Sequence, residues 1–219
     1  MIDLYNGICE LFKKNSDILY GISNISFSEY KSDYKCALVF ATPHTELLSI
    51  NNYKEEKFES LICEAQDHIN LLLEKITTLL NKYKIQYYIP PVAQSSEEKL
   101  IAPFSFKFAS INAGLGWIGK NDVLITERYG PRIRLSAILI NYDLPLEKPV
   151  TISKCPLECN ICVKACPHNA LTGSQWNIRT KREELINYKL CNQKRSLYLK
   201  IHNRKHSCGL CMVSCPFAI

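Results

Sequence analysis

The sequence predicts an α+β domain over residues 1–145 and a small cysteine-rich module over residues 146–219. Helical and strand-like segments alternate as far as Asn141. A stretch from Asn141 to Val150 then holds two prolines and little apolar periodicity, which is typical of a domain boundary. Eight of the eleven cysteines follow this boundary, and 219 residues are enough for two small domains.

The first half of the α+β domain contains two helices around a strand. Residues 1–15 are predicted as a short helix because their apolar side chains share one face, namely Leu4, Ile8, Leu11 and Phe12. Tyr34 to Thr42 is predicted as a buried strand that ends at Pro43. A long helix follows from Lys54 to Tyr83, where the apolar residues keep the 3.6-residue period.

The second half alternates shorter segments. In chain order these are a strand over 85–89, a loop over 94–100, a helix over 104–113 and strands over 122–126 and 132–141. Gly114 is positioned to end the helix. The last two strands are joined by a predicted turn at Tyr129-Gly130-Pro131.

The cysteines of the second module form two runs with a further cysteine between them. The runs are Cys155-x3-Cys159-x2-Cys162-x3-Cys166-Pro167 and Cys208-x2-Cys211-x3-Cys215-Pro216, with Cys191 between them. Because each 4Fe-4S cluster takes four thiolates, eight cysteines predict two clusters in a ferredoxin-like module. In two-cluster proteins the cysteine before the proline binds the other cluster. We therefore predict one ligand set of Cys155, Cys159, Cys162 and Cys215, and a second of Cys166, Cys191, Cys208 and Cys211.

Structural zinc is the main alternative for these cysteines, since C-x2-C pairs also bind zinc. The three closely spaced cysteines and the Cys-Pro of each run favour clusters. A disulfide framework is disfavoured, because the N-terminus does not resemble a signal peptide and no apolar run is long enough for a membrane span. We expect a cytoplasmic protein without membrane association, whose thiols stay reduced. The other three cysteines, Cys9, Cys36 and Cys63, are expected to be packing residues.

The positive charge is concentrated in one segment. The chain has a formal charge of +6, and residues 179–206 hold nine Lys or Arg against two Asp or Glu. This segment is first interpreted as a solvated face that offsets the charge of the clusters. The next interpretations are a docking face for reduced ferredoxin or flavodoxin as electron donor, and then a contact with RNA phosphates.

A glycine loop precedes the last two strands. Gly114, Gly116 and Gly119 fit G-x-G-x-x-G, and the loop ends in Lys120, close to a P-loop pattern. Both nucleotide-binding motifs need a strand before the loop and a helix after it, whereas here a helix precedes and a strand follows. Two interpretations stay open. Either the glycines admit a flat cofactor, with Trp117 stacked on it and Lys120 at an anionic substituent, or the loop is a tight turn with Trp117 in the core.

The segments AGLGWIGKNDVLI (113–125) and YGPRIRLSAIL (129–139), followed by the cysteine runs, resemble the epoxyqueuosine reductase family and its short iron–sulfur relatives. The resemblance implies two 4Fe-4S clusters that pass electrons to a cobalamin. It also implies an N-terminal domain similar to nitroreductase-like and cobalamin-processing folds, a plan that reductive dehalogenases share. On this basis Gly114, Gly116, Trp117, Gly119 and Lys120 are the predicted cofactor-binding residues.

The sequence departs from the tRNA-modifying members of that family. Their proton-donating Asp, upstream of the glycine loop, corresponds to Leu100 here, and of an Asp-Tyr-His motif only Asp67 is kept. Those members also have a helical-repeat domain after the clusters, whereas this sequence continues four residues past Cys215. We therefore expect a small-molecule substrate and not tRNA, and the residues assign no proton donor.

Two functions of different classes follow from these observations. The first is an iron–sulfur oxidoreductase, which passes electrons through two clusters to a bound cobalamin or small substrate. The alternative is a ferredoxin-like electron carrier or docking module without catalysis of its own. The N-terminal domain favours the enzyme, since a carrier does not need a further 145 residues.

Overall fold

The computed structural model describes residues 2–91, 102–193 and 208–218. The chain forms two compact units, each built from separate segments. The first unit comprises residues 1–43, 65–115 and 134–150, and the second comprises residues 44–64, 116–133 and 151–219. The chain changes unit five times, the last time after Val150. The division at residue 145 into two functional domains remains a prediction.

A four-stranded sheet forms the centre of the first unit, with strand order β1-β2-β6-β3. Its strands are β1 (Leu19–Ser23), β2 (Cys36–Pro43), β3 (Tyr87–Tyr88) and β6 (Ile133–Ile140). β1 and β2 are antiparallel, with Leu19 opposite Ala41, and β3 and β6 are antiparallel, with Tyr87 opposite Ile140. The predicted strands near residues 34–42, 85–89 and 132–141 are confirmed, whereas β1 was not predicted.

Two helices cover one face of this sheet. They are α1 (Ile2–Lys13) and α2 (Glu55–Lys82), which confirms both predicted helices. Strand residues two positions apart point to the same face, so Leu38 and Phe40 of β2 meet the helices together. Apolar side chains from both helices complete this core, namely Leu4, Ile8, Phe12, Ile69, Leu72, Ile76 and Leu80.

The opposite face of the sheet is covered by α3 (Phe106–Asn112). Ala37 and Val39, which alternate with the residues above, pack here against Ala109 and Phe104. The Ser105 hydroxyl accepts a hydrogen bond from the Phe108 amide and caps the helix. The unit is therefore a mixed helix-and-sheet fold, and its predicted third helix is confirmed.

Gly114 ends α3 in the left-handed conformation, with φ of +70°. The chain then enters a short hairpin of the second unit, β4 (Trp117–Ile118) and β5 (Leu124–Ile125). A helix thus precedes the glycine loop and a strand follows it. This order confirms that the loop is neither a dinucleotide fingerprint nor a P-loop.

The rest of the second unit is built from short elements. It contains α4 (Ile161–Ala165), α5 (Arg182–Leu185) and α6 (Leu210–Val213), with isolated bridges between Ile152 and Asn177 and between Leu171 and Ile186. Residues 44–64 contribute an apolar cluster in which Phe58 packs with Val213. Sequence analysis did not predict that this segment belongs with the cysteines.

Among the described residues, no helix combines the length and the apolar character that a membrane span requires. The predicted loop at residues 94–100, including Leu100, lies outside the described residues. So do residues 194–207, which form about half of the basic segment.

Candidate metal centre

Four of the predicted ligands surround one pocket in the second unit. Cys155 and Cys159 come from the loop before α4, Cys162 from α4 itself, and Cys215 from the segment after α6. Lys120, Asn121 and Ile125 contribute to the walls, as do Pro156, Pro216 and Phe217. The structure therefore brings together the four cysteines that the sequence assigns to one cluster, which we call the first cysteine group.

The other four cysteines form the second cysteine group, Cys166, Cys191, Cys208 and Cys211. Burial raises the pKa of Cys211, and the nearby thiols of Cys208 and Cys191 raise it further. Burial also raises the pKa of Cys191, with further contributions from Cys208 and Cys166. These contributions are consistent with a second group, but Cys162 of the first group also raises the pKa of Cys211, more than Cys166 does, and Cys162, Cys166 and Cys211 pack in one apolar cluster.

The predicted exchange of one cysteine between the runs is supported most directly by Cys215, which lines one pocket with three cysteines of the first run. Cys166 contributes to the raised pKa of Cys191 and of Cys211, and Cys162 contributes to that of Cys211 as well. This placement agrees with the crossed arrangement expected from the two Cys-Pro pairs. The assignment of ligands remains a prediction, now supported by proximity.

Burial disfavours the thiolate form of two cysteines in the first group, Cys162 and Cys215. It raises the pKa of Cys162 to about 11 and that of Cys215 to about 12, and repulsion from neighbouring thiols adds to both shifts. Within the described ranges, no three histidine, cysteine or acidic side chains converge on a point that would suit a single metal ion. Metal binding by these cysteines requires loss of their protons, which the charge of bound iron would favour.

Lys120 lies inside the first site, with its side chain directed at the cysteine loop. Its Nζ donates hydrogen bonds to the carbonyl oxygens of Leu157 at 2.7 Å and Cys159 at 3.0 Å. The residue is 4% exposed. This geometry differs from the expectation that Lys120 meets an anionic substituent, because the ammonium is already bonded to two carbonyl groups.

Trp117 is a core residue of the second unit. It is 1% exposed, and its ring meets Phe217 edge-on at a centroid distance of 5.1 Å. The Lys154 ammonium lies 5.5 Å from the ring. The burial favours the second interpretation of the glycine loop, a tight turn with Trp117 in the core.

The glycines of the loop are required by contacts within the chain. A Cβ on Gly116 would lie 2.1 Å from the Ile125 carbonyl oxygen, and one on Gly119 would lie 2.3 Å from Ile125 Cδ1. Gly114 serves as the helix cap. Residues 114–120 thus pack against neighbouring residues of this chain, and they do not form an open cradle for a corrin ring. Their role as cofactor-binding residues stays a prediction that this geometry does not support.

Several residues that contact the cysteine loops were not identified from the sequence. Asn121 Nδ2 donates to the Cys211 carbonyl oxygen at 2.9 Å. The Tyr53 hydroxyl donates to the Cys208 carbonyl oxygen. A Cβ on Gly209 would lie 2.2 Å from the Phe58 ring. Because Tyr53 and Phe58 are far from these cysteines in the sequence, no local motif indicates their contacts.

Comparison with known proteins supports the cluster prediction. The family model for a 4Fe-4S double cluster binding domain matches residues 154–218. An epoxyqueuosine reductase from Listeria monocytogenes is 37% identical over 114 residues, covering 48% of this chain and 27% of that protein. A second, from Pseudomonas aeruginosa, is 25% identical over 189 residues and covers 84% of this chain and 47% of that protein. The chain thus spans about a quarter to a half of the length of these relatives.

Solved structures share the fold at low sequence identity. A crystal structure of an epoxyqueuosine reductase superposes with a TM-score of 0.61 at 16% identity, covering 98% of this chain and 66% of that one. A reductive dehalogenase, whose structure suggests a mechanism for B12-dependent dehalogenation, gives 0.55 at 14% identity, covering 90% and 29%. The sequence relatives and the cluster domain support an epoxyqueuosine reductase-like family for this chain, and the solved structures show that it shares their fold.

Proposed function

We propose that this protein is an iron–sulfur oxidoreductase that passes electrons through two 4Fe-4S clusters to an acceptor. The observation that carries the proposal is the pocket lined by Cys155, Cys159, Cys162 and Cys215, which lies within the range matched by the double cluster domain model. We assign the first cluster to Cys155, Cys159, Cys162 and Cys215, and the second to Cys166, Cys191, Cys208 and Cys211. Bound clusters would supply one-electron transfer.

The protein's own residues hold and shield the first site. Lys120 fixes the loop between Cys155 and Cys159 by bonding two of its carbonyl groups. Ile125 and Phe217 line the same pocket and limit the access of water. A drier surrounding strengthens the effect of nearby charges on a reduction potential.

The metal content gives the first test. Anaerobically purified or reconstituted protein is expected to contain about eight irons and eight acid-labile sulfides per chain, because each 4Fe-4S cluster has four of each. The matched control is Cys63→Ala, since Cys63 is an exposed cysteine on α2 and belongs to neither group. Its iron content should equal that of the wild type. Stoichiometric zinc without sulfide would contradict the proposal.

A corrinoid is the proposed acceptor, and its support comes from the family and from the dehalogenase named above. Residues 114–120 do not offer the side chains that the sequence predicts for it, so we derive no chemical step through this group. We also propose that tRNA is not the substrate. This proposal rests on two family motifs that the sequence does not fully keep. Asp67, the residue kept from the first, lies on α2, and Leu100, which replaces the acid of the second, is outside the described residues.

Calorimetry with cobalamin tests this part of the proposal. The anaerobic, cluster-loaded protein is expected to bind cobalamin and to leave epoxyqueuosine in tRNA unreduced or nearly so. The measurements are the heat of binding and the modified nucleoside content of tRNA after incubation with dithionite. Absence of binding would favour the electron-carrier alternative, and rapid reduction of the nucleoside would overturn the exclusion of tRNA.

The proposed electron donor is an acidic protein such as reduced ferredoxin or flavodoxin. Its support is the basic composition of residues 179–206, since complementary charge accelerates association. Within the described part of this segment, Arg182 pairs with Asp122 and lies over the Tyr188 ring.

A further inference from the structure

A buried cation belongs to the first cysteine group. Lys120 is 4% exposed and lines the pocket that Cys155, Cys159, Cys162 and Cys215 surround. Its two hydrogen-bond acceptors are neutral carbonyl groups. The ion pairs between described residues do not include it. Among the residues that the structure describes, no carboxylate at ion-pair distance offsets this positive charge.

At the second cysteine group the buried charge is negative. The Asp122 carboxylate is 9% exposed, and its Oδ2 lies 3.5 Å from Nε of Arg182. The turn that carries Asp122 reaches this group through the neighbouring Asn121, whose Nδ2 donates a hydrogen bond to the Cys211 carbonyl oxygen at 2.9 Å. The second group thus has a buried negative charge next to a positive one that is more exposed.

We propose that Lys120 and Asp122 make the two cluster potentials unequal, with Lys120 raising the potential at the first group and Asp122 lowering it at the second. The inference rests on the ligand groups proposed above. Reduction adds one negative charge to a cluster, so a buried cation stabilises the reduced form and a buried anion destabilises it. Two residues of one tight turn would then direct an electron towards the first cluster.

The step is a one-electron transfer without bond making or breaking. With both clusters bound, one electron from a low-potential donor, dithionite in the experiment below, would reside mainly on the first cluster. Cys191 is exposed as a residue although its thiol is partly desolvated, so solvent also affects the potential at the second group. Variants therefore separate the effect of charge from that of exposure.

The principal test is Lys120→Gln, which removes the charge and keeps a hydrogen-bond donor for the loop. Redox titration of the anaerobic, full-length protein, followed by EPR, measures both potentials. Cys215→Ala and Cys166→Ala identify which signal belongs to which cluster. We expect the one-electron reduction equilibrium of the first cluster to fall about tenfold, or ~59 mV, with the second unchanged. Lys120→Arg should keep the wild-type value.

Lys154→Met is the matched control. Lys154 precedes Cys155 and has the same charge, but its side chain is 56% exposed. Water and salt screen such a charge, so its removal should shift the potential much less than Lys120→Gln does. Equal shifts for the two variants would overturn the inference.

Asp122→Asn tests the proposed effect of Asp122 on the potential of the second cluster, and it leaves the Lys120 hydrogen bonds in place. Asp122 has a φ of +55°, a conformation that asparagine also tolerates. The second-cluster potential should rise and the gap between the clusters should narrow. An unchanged potential in iron-replete Lys120→Gln would overturn the inference. If Lys120→Gln loses its iron, the inference would be overturned by an Asp122→Asn variant in which the difference between the two cluster potentials is unchanged. A wild-type protein without iron would contradict the proposed function instead.

Discussion

Cys215→Ala is expected to remove the cluster held mainly by Cys155, Cys159 and Cys162, so that the iron content falls from about eight to about four per chain. The reason is geometric, because Cys215 lines the same pocket as these three cysteines, although it belongs to the other run. Anaerobic iron and sulfide analysis gives the loss, and EPR of the reduced protein identifies the remaining cluster.

Cys166→Ala is the reciprocal variant and serves as the control. Cys166 also precedes a proline, but its thiol is near Cys191 and Cys211. It should lose the second cluster and keep the first. If the two variants lost the same cluster, the crossed assignment would be wrong, whatever the total iron content.

The sequence predicts the large elements of the first unit well, since their patterns are long and local. The apolar period of α2 places its ends within one residue of those observed, Glu55 and Lys82. β2 is a continuous apolar run that stops at a proline. β1 was missed because Leu19–Ser23 is short and includes Gly21, which weakens a strand signal.

In the candidate site, too, features set by neighbouring residues could be predicted, whereas contacts between distant residues could not. Ligand spacing within each cysteine run is local, so a ligand set could be proposed from it, and four of the proposed ligands line one pocket. The acceptors of Lys120 are 37 and 39 residues away, and no periodicity connects them. The interpretation of the loop as a cofactor cradle rested on its glycines, on Trp117 and Lys120, and on the family resemblance. The requirement for Gly116 is a contact with Ile125 across a hairpin, which only the fold reveals.

Gly116→Ala is expected to destabilise the second unit by about 2–3 kcal/mol, the upper part of the usual range for overpacking. The new Cβ would lie 2.1 Å from the Ile125 carbonyl oxygen and 2.9 Å from its carbonyl carbon. Both are backbone atoms, so β4 and β5 must separate. Ile125 also lines the first cysteine pocket, and iron retention should therefore fall with the melting temperature. Circular dichroism during heating and iron analysis measure the two effects.

Gly7→Ala is the matched control, because it also adds one methyl group at a packed glycine. Gly7 lies within α1, and its Cβ would meet Leu79 Cδ1 at 3.1 Å. That atom is the end of a flexible side chain, so it can yield, and alanine favours a helix over glycine by up to ~1 kcal/mol. This variant should melt close to the wild type and keep its iron. Equal melting temperatures for both variants would mean that the hairpin relaxes without cost, and that Gly116 is not a constraint on the first cysteine group.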